Sequence, residues 1–240
     1  MVLFVKRGKE YDGSEATFPI VGIKDGKLNS FGTGFYIHPW GGFVSAKHLF
    51  DELDYPVEDL RILHRSGSQV ILRKVESVHL HPEADVCVGM AVGLKQGNNR
   101  IRNEYFGFDL GITQINTTVY TLAYPKSYVD IHNSELVVKG DIFAGLLKEH
   151  CERCPTVRII TECYLCNFEM LGGSSGGPVF GQNGRVIGIN SVSYGLDADN
   201  AEPISFVTPI KYALEVQIKV EEYEYVLLRE LLYQGYIEGY

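Results

Sequence analysis

Gly172-Gly173-Ser174-Ser175-Gly176-Gly177-Pro178 is the stretch on which the reading of this chain turns. Glycines collect where a backbone takes positive φ or passes close to another group. Here they bracket two serines, and Pro178-Val179-Phe180 opens an apolar run directly behind them. A tight loop of this composition can raise a hydroxyl among backbone N–H groups. A serine hydroxyl is a weak nucleophile by itself, so it needs a base beside it and donors for the oxyanion it creates. A Gly/Ser-rich surface turn has the same composition. The loop therefore does not decide alone, and a base and an orienting acid have to be sought elsewhere.

Outward from the loop, the chain reads as β throughout. Its 240 residues suit one large domain or two small ones, and 45% hydrophobic content is enough for a packed core. From residue 18 on, short apolar runs are broken by Gly, Asn, Asp and Pro, which predicts strands over 18–23, 32–37, 43–46, 70–78 and 86–91. A turn is expected at Asp25-Gly26. A second series follows at 117–123, 135–138, 157–170, 179–180, 185–192 and 204–207. Strands and helices do not alternate, which excludes a parallel α/β sheet. Only the end differs: Tyr225, Leu228, Leu231 and Leu232 have helical spacing and predict a helix over 222–233, stopped by Gly235 and packed on the body.

Charge and cysteines narrow the function classes. A net charge of −8 argues against a nucleic-acid or anionic-membrane partner. No apolar run reaches the roughly 18 residues of a membrane-spanning helix. The start, MVLFVKRGKEYDGSE, lacks the layout of a signal peptide, so a cytoplasmic location is expected. Five cysteines, an odd number, speak against a disulfide framework. Cys151 with Cys154 and Cys163 with Cys166 form two C-x2-C pairs, a spacing known from zinc sites. Their separation is short, and the second pair sits in a strand-like run. Structural thiols are therefore expected, with no metal and no cofactor.

Position singles out a base among seven histidines. His48 follows the apolar run Phe43-Val44-Ser45-Ala46, and Leu49 and Phe50 can anchor a turn behind it. A general base must be held rigidly within reach of its serine, and a strand end with an apolar anchor can do this. The acid should be a buried carboxylate that accepts from the imidazole. Asp85, in His81-Pro82-Glu83-Ala84-Asp85-Val86-Cys87-Val88, stands at the mouth of an apolar strand, where a carboxylate is costly unless paired. Glu83 competes from a more polar context, and a turn cap is the other reading of Asp85.

Taken together, these stretches resemble trypsin-like serine proteases, closest to their HtrA-type bacterial branch. Gly173-Ser174-Ser175-Gly176-Gly177-Pro178 is similar to the family's Gly-x-Ser-Gly-Gly-Pro loop. GTGFYI at 32–37 and FVSAKH at 43–48 resemble the strand–turn–strand that ends in the family's catalytic histidine. Asp85-Val86-Cys87-Val88 resembles its acid motif, Leu122-Ala123-Tyr124-Pro125 the Gly-Tyr-Pro of the HtrA branch, and Arg185-Val186-Ile187-Gly188-Ile189 the strand after the serine. Ile204-Ser205-Phe206-Val207-Thr208-Pro209-Ile210 is similar to that branch's closing strand and helix. The departures are Ser174, the cysteine-bearing segment and the helical tail, and no recognisable PDZ domain follows.

The resemblance implies an all-β fold of two antiparallel six-stranded β-barrels with a C-terminal α-helix. The expected division is a first barrel over 1–105 carrying His48 and Asp85, a second over 106–215 carrying Ser175, and a helical tail over 216–240. It implies a serine endopeptidase with Ser175 as nucleophile, His48 as base and Asp85 as its orienting acid. The N–H groups of Gly173 and Ser175 would form the oxyanion hole, and Ser191-Val192-Ser193 would pair with a peptide substrate as an extra strand. Two residues compete for the first specificity pocket. Glu169 would select Lys or Arg, while Met170 would select a small or medium apolar side chain, and strand alternation lets only one of them line it. Met170 is favoured. The partner expected is a protein or peptide substrate. The alternative is a catalytically silent or partner-activated binding module of the same fold, dependent on an activating protein or an oligomer within an intracellular complex.

Overall fold

The apolar runs pair as antiparallel ladders that close twice. The computed structural model describes residues 3–6, 9–24, 27–51, 55–126, 129–132, 135–153, 160–194, 202–219 and 224–239. The first barrel consists of β1 (Thr17–Lys24), β2 (Lys27–Tyr36), β3 (Gly42–Ser45), β4 (Leu60–Ser66), β5 (Gln69–Leu80) and β6 (Cys87–Ala91). The second consists of β7 (Thr118–Ala123), β8 (Asp141–Cys151), β9 (Cys163–Cys166), β10 (Pro178–Phe180), β11 (Val186–Tyr194) and β12 (Ile204–Pro209). Neighbour order is β1-β2-β3-β6-β5-β4 in one and β7-β8-β9-β12-β11-β10 in the other, so both barrels are wound identically. The chymotrypsin-like fold expected from the sequence is the fold observed.

Each barrel fills with the inward residues of its alternating strands. Phe18 meets Tyr36 at 4.5 Å and Phe43 at 5.8 Å between ring centroids. Val119, Leu147, Phe168, Val179, Ile187 and Val207 fill the second barrel. A third cluster, between the barrels, stacks Phe106 edge-on against Phe180 at 4.9 Å and gathers Phe35, Ile189 and Leu228. Burying these rings drives the two barrels together. A cation is buried in the first barrel: Arg73, 3% exposed, donates to the Tyr36 hydroxyl at 2.6 Å, Asn103 Oδ1 at 3.1 Å and the Val92 carbonyl at 2.8 Å. Those neutral acceptors tie β5 to the segment that leads into the second barrel.

Two barrel strands had no counterpart in the sequence reading. β4 carries Arg61, His64 and Arg65, and β8 carries Asp141, Lys148, Glu149 and His150, so neither is an uninterrupted apolar run. The strand expected at 135–138 exists, but it pairs with Val129–His132 in a hairpin outside the barrel. The Asp25-Gly26 turn lies outside the described residues.

The tail departs from a helix over 222–233. Tyr225–Leu227 is a strand, β14, paired with β13 (Gln217–Lys219), and the helix α2 spans only Leu228–Tyr233. Tyr225 and Val226 are strand formers, and a partner strand overrides their helical spacing. Glu230 accepts the Leu227 N–H at 3.3 Å at the helix start, and Gly235, at φ +78°, ends it as expected. Leu228 and Ile237 are buried in the inter-barrel cluster, and Phe108 N–H donates to the Glu238 carbonyl at 2.8 Å. The tail is thus part of the core.

Cys163 and Cys166 are both buried, but three residues apart on one strand they face opposite sides. Cys166 packs in the second-barrel core with Val119 and Val179, and Cys163 packs with Phe206. Cys151 stands opposite Cys163 in the β8–β9 register, and Cys154 lies outside the described residues. The second C-x2-C pair therefore cannot chelate one ion from a common face. Among the described residues, no group of three or more His, Cys, Asp or Glu side chains could hold a metal.

Candidate active site

His48 is placed by the end of β3. The chain leaves Ser45, turns through Ala46 and Lys47, and enters the single helical turn α1 (His48–Asp51), which Leu49 anchors in the interior. The His48 N–H donates to Asp85 Oδ1 at 2.9 Å, and its Nδ1 lies 3.0 Å from Oδ1 and 2.9 Å from Oδ2. A carboxylate accepts only, so Nδ1 carries the proton and Nε2 is left as an acceptor. Asp85 is 3% exposed. Burial, the largest influence, raises its pKa. The hydrogen bond to the His48 side chain, the charge attraction to it and the His48 N–H outweigh burial, with a smaller contribution from the Ser191 hydroxyl, and hold the acid below its ordinary value.

The nucleophile loop is held from both barrels. Gly173 and Gly176 adopt φ of +102° and +85°. A Cβ on Gly176 would overlap the Thr33 carbonyl oxygen and Ser45 Oγ, so the loop presses on the strand end that leads to His48. Gly176 N–H donates to the Asn190 carbonyl at 2.7 Å, and Asn190 N–H to the Gly177 carbonyl at 2.9 Å. The N–H groups of Gly173 and Ser175 donate to no protein acceptor among the described residues. Ser174 is fully buried and Ser175 is partly exposed, so only Ser175 is presented to solvent. Ser175 Oγ donates to the Ser191 carbonyl at 3.4 Å, and no hydrogen bond joins it to His48.

Thr33 was not singled out in the sequence, yet two of its hydrogen bonds hold the loop and two others tie it to Tyr124 and Ser45. Its N–H donates to the Ser175 carbonyl at 2.8 Å, and its Oγ1 donates to the Gly173 carbonyl at 2.9 Å while accepting Tyr124 N–H at 3.0 Å. Its own carbonyl accepts Ser45 Oγ at 2.7 Å. Asn190 Nδ2 supports the same loop, donating to Thr121 Oγ1 at 2.7 Å and the Ser174 carbonyl at 3.3 Å. A hydroxyl within the glycine-flanked Gly32-Thr33-Gly34 run was the only sequence signal for Thr33.

The remaining site residues line one side of the loop. β11 pairs with β10 only as far as Ile189, while Val192 and Ser193 pair with Phe206 and Ser205 of β12. The other edge of Ser191-Val192-Ser193 therefore carries no strand among the described residues. Ser193 Oγ donates to the Met170 carbonyl at 2.9 Å. Met170 is buried at 8% exposure among the second-barrel core residues, whereas Glu169 is exposed. Elsewhere, a cavity of about 810 Å³ lies between the first barrel and the tail, lined by Ile37, Met90, Ile218, Leu231 and Ile237 among others, and none of these site residues borders it.

Residues 32–189 match the family model described as a trypsin-like peptidase domain. Among solved structures, the Rv3671c protease of M. tuberculosis in its active form is 18% identical, with TM-score 0.59, covering 84% of this chain and 78% of that one. Deg5 is 16% identical, with TM-score 0.57 and coverage of 82% and 85%. The MamO protease domain of Magnetospirillum magneticum is 12% identical, with TM-score 0.61 and coverage of 83% and 94%. At these identities the likeness is one of fold. No curated protein sequence matches the chain significantly. The family match runs from the strand carrying Thr33, through His48 and Asp85, to the strand behind Ser175, and by it the chain belongs to the trypsin-like peptidase family.

Proposed function

We propose that the protein is a serine endopeptidase that cleaves peptide bonds through Ser175, His48 and Asp85 and an acyl-enzyme intermediate. The observation that carries this reading is the doubly bonded His48–Asp85 pair beside a loop whose Gly173 and Ser175 N–H groups have no acceptor among the described residues. Ser175 Oγ turns from the Ser191 carbonyl, attacks the scissile carbonyl carbon, and gives its proton to His48 Nε2. The oxyanion that forms accepts from the Gly173 and Ser175 N–H groups. Asp85 stays ionised and stabilises the imidazolium. His48 returns the proton to the leaving amine, and water then attacks the acyl-enzyme with His48 again as base. Every group the reaction needs is supplied by the chain. The substrate backbone lies as an added strand along Ser191-Val192-Ser193, which gives affinity with little demand on sequence.

A second reading, a silent or partner-activated member of the fold, is favoured by the Ser175 Oγ bond to the Ser191 carbonyl in place of one to His48. Nucleophile–base bonds are often loose without substrate. Labelling with a fluorophosphonate probe distinguishes the two readings. The protein should be labelled, Ser174→Ala should be labelled as well, and Ser175→Ala should not, with its circular dichroism unchanged. Absence of labelling in the native protein supports the second reading. Labelling that survives Ser175→Ala but not Ser174→Ala overturns the choice of nucleophile.

A further inference from the structure

We propose that His81 is a positioning residue for Asp85, its Nδ1 holding the turn that delivers the acid to His48; this rests on the endopeptidase reading above. The turn runs from His81 at the end of β5 to Val86, just before β6. It is closed by His81 N–H to the Val86 carbonyl at 3.0 Å and Val86 N–H to the Ala84 carbonyl at 2.8 Å. Those bonds leave the N–H groups of Glu83 and Ala84 inside the turn, and Ala84 is fully buried. Both N–H groups donate to His81 Nδ1, at 3.1 and 2.8 Å. One ring nitrogen thus satisfies two backbone donors of the residues immediately before Asp85.

The rest of the ring is fixed to suit. Because Nδ1 accepts, Nε2 carries the proton, and it faces Glu215 Oε2 at 3.5 Å. Glu215 ends the 3-10 turn Ile210–Glu215 that follows β12, so the contact ties the acid-bearing turn to the second half of the molecule. Tyr212, from the same 3-10 turn, packs edge-on against the His81 ring at 5.6 Å. Lys47, the residue before His48, holds the turn from its other side, donating to the Pro82 carbonyl at 3.0 Å. Removing the Nδ1 acceptor leaves two N–H groups without a partner, one of them buried, and such a turn relaxes towards solvent. Asp85 then moves relative to His48. A displacement of about 1 Å in a catalytic constellation costs about 10²-fold in rate.

Two substitutions separate this role from simple packing. His81→Phe keeps a ring against Tyr212 but has no acceptor. His81→Asn loses the ring but keeps an oxygen that can accept from N–H groups two and three residues on. Steady-state hydrolysis of a chromogenic peptide ester and the low-field NMR resonance of the His48 Nδ1 proton provide the readouts. His81→Phe should lower kcat about 10²-fold with KM within about twofold, and should shift or broaden the His48 resonance. His81→Asn should recover kcat to within about fivefold of the native protein and restore the resonance. The reverse order, with Phe active and Asn impaired, would show that the ring only packs. Should His81→Phe fail to fold, His81→Ala against His81→Asn makes the same comparison, and equal loss in both overturns the proposal. The resonance reports on the His48–Asp85 contact even in a protein that hydrolyses nothing. Loss of the endopeptidase reading and loss of the His81 role therefore remain distinguishable.

Discussion

Thr33 donates its main-chain N–H to the carbonyl of Ser175 across the seam between the barrels, at 2.8 Å. A strand of the first barrel therefore sets the height of the loop that the second barrel presents. The Thr33 hydroxyl extends the grip to Gly173 and Tyr124. Thr33→Val keeps the shape and the main-chain bond but strands the Tyr124 N–H and the Gly173 carbonyl, all in a buried setting. Urea unfolding should show a loss of about 1–3 kcal/mol, the usual cost of leaving buried polar groups unpaired. Probe labelling should slow at the same time, because Gly173 is also one of the two oxyanion donors we propose. Thr33→Ser should restore both. A Thr33→Val protein as stable and as readily labelled as the native one would show that the hydroxyl is incidental.

Gly176 sets a sharper limit. At φ +85° an alanine carries a backbone penalty of about 1–2 kcal/mol, and its methyl meets Thr33 and Ser45 at the strand end before His48. Gly176→Ala should abolish labelling while far-UV circular dichroism keeps its β signature. Gly67 makes the control: its φ is +58° with open space around it, so Gly67→Asn should leave labelling unchanged. Normal labelling of Gly176→Ala would mean the loop relaxes freely, against the close fit seen here.

His64 governs part of the acid stability. It is buried under Tyr36, its Nδ1 has no hydrogen-bond partner, and burial together with the Arg73 charge lowers its pKa to about 4. The unfolded chain binds this proton at about pH 6.5, the folded one only near pH 4. Stability from the neutral ring is therefore complete above pH 6.5 and is lost as pH falls towards and below 4, by at most about 3 kcal/mol. Asp85, depressed in the folded state, adds a loss at still lower pH as the solution passes through its folded value. His64→Phe keeps the ring and removes the titration. Its thermal midpoint should fall less between pH 6.5 and 4 than that of the native protein, and parallel profiles would refute the assignment of this slope to His64.

How much of this was legible beforehand can be traced residue by residue. Ser175, His48 and Asp85 stand at strand ends, where short apolar runs and their breaks mark position directly in the sequence. β4 and β8 were missed because polar and charged residues interrupt both runs: Arg61, His64 and Arg65 in β4, and Asp141, Lys148, Glu149 and His150 in β8. Thr33 and His81 were missed for another reason. Their roles are hydrogen bonds to backbone groups, in the case of the Thr33 hydroxyl to a carbonyl 140 residues away, and backbone donors and acceptors leave no trace in residue identity. The tail misled because Tyr225 suits a strand and a helix alike, and only the partner strand at Gln217–Lys219 settles which one forms.

The specificity pocket is where Glu169 and Met170 point to different substrates. Glu169 is exposed, so its charge is shared with solvent and gives little selection for Lys or Arg. Met170 is turned into the second-barrel core beside Phe168 and Val179, and its carbonyl is held by Ser193 of the strand along which the substrate is proposed to lie. On our proposal that Met170 lines the pocket, its thioether would admit a small or medium apolar side chain and offer no partner to a buried cation, which is costly to desolvate. Cleavage of a peptide library should therefore favour Val, Ala or Leu on the acyl side of the scissile bond. Met170→Ala should enlarge the pocket and move the preference towards Leu and Phe, by roughly tenfold for a gain of one or two methylenes in fit. Glu169→Gln should leave the ranking unchanged. A clear preference for Lys or Arg that disappears in Glu169→Gln would show instead that the glutamate turns inward when substrate binds.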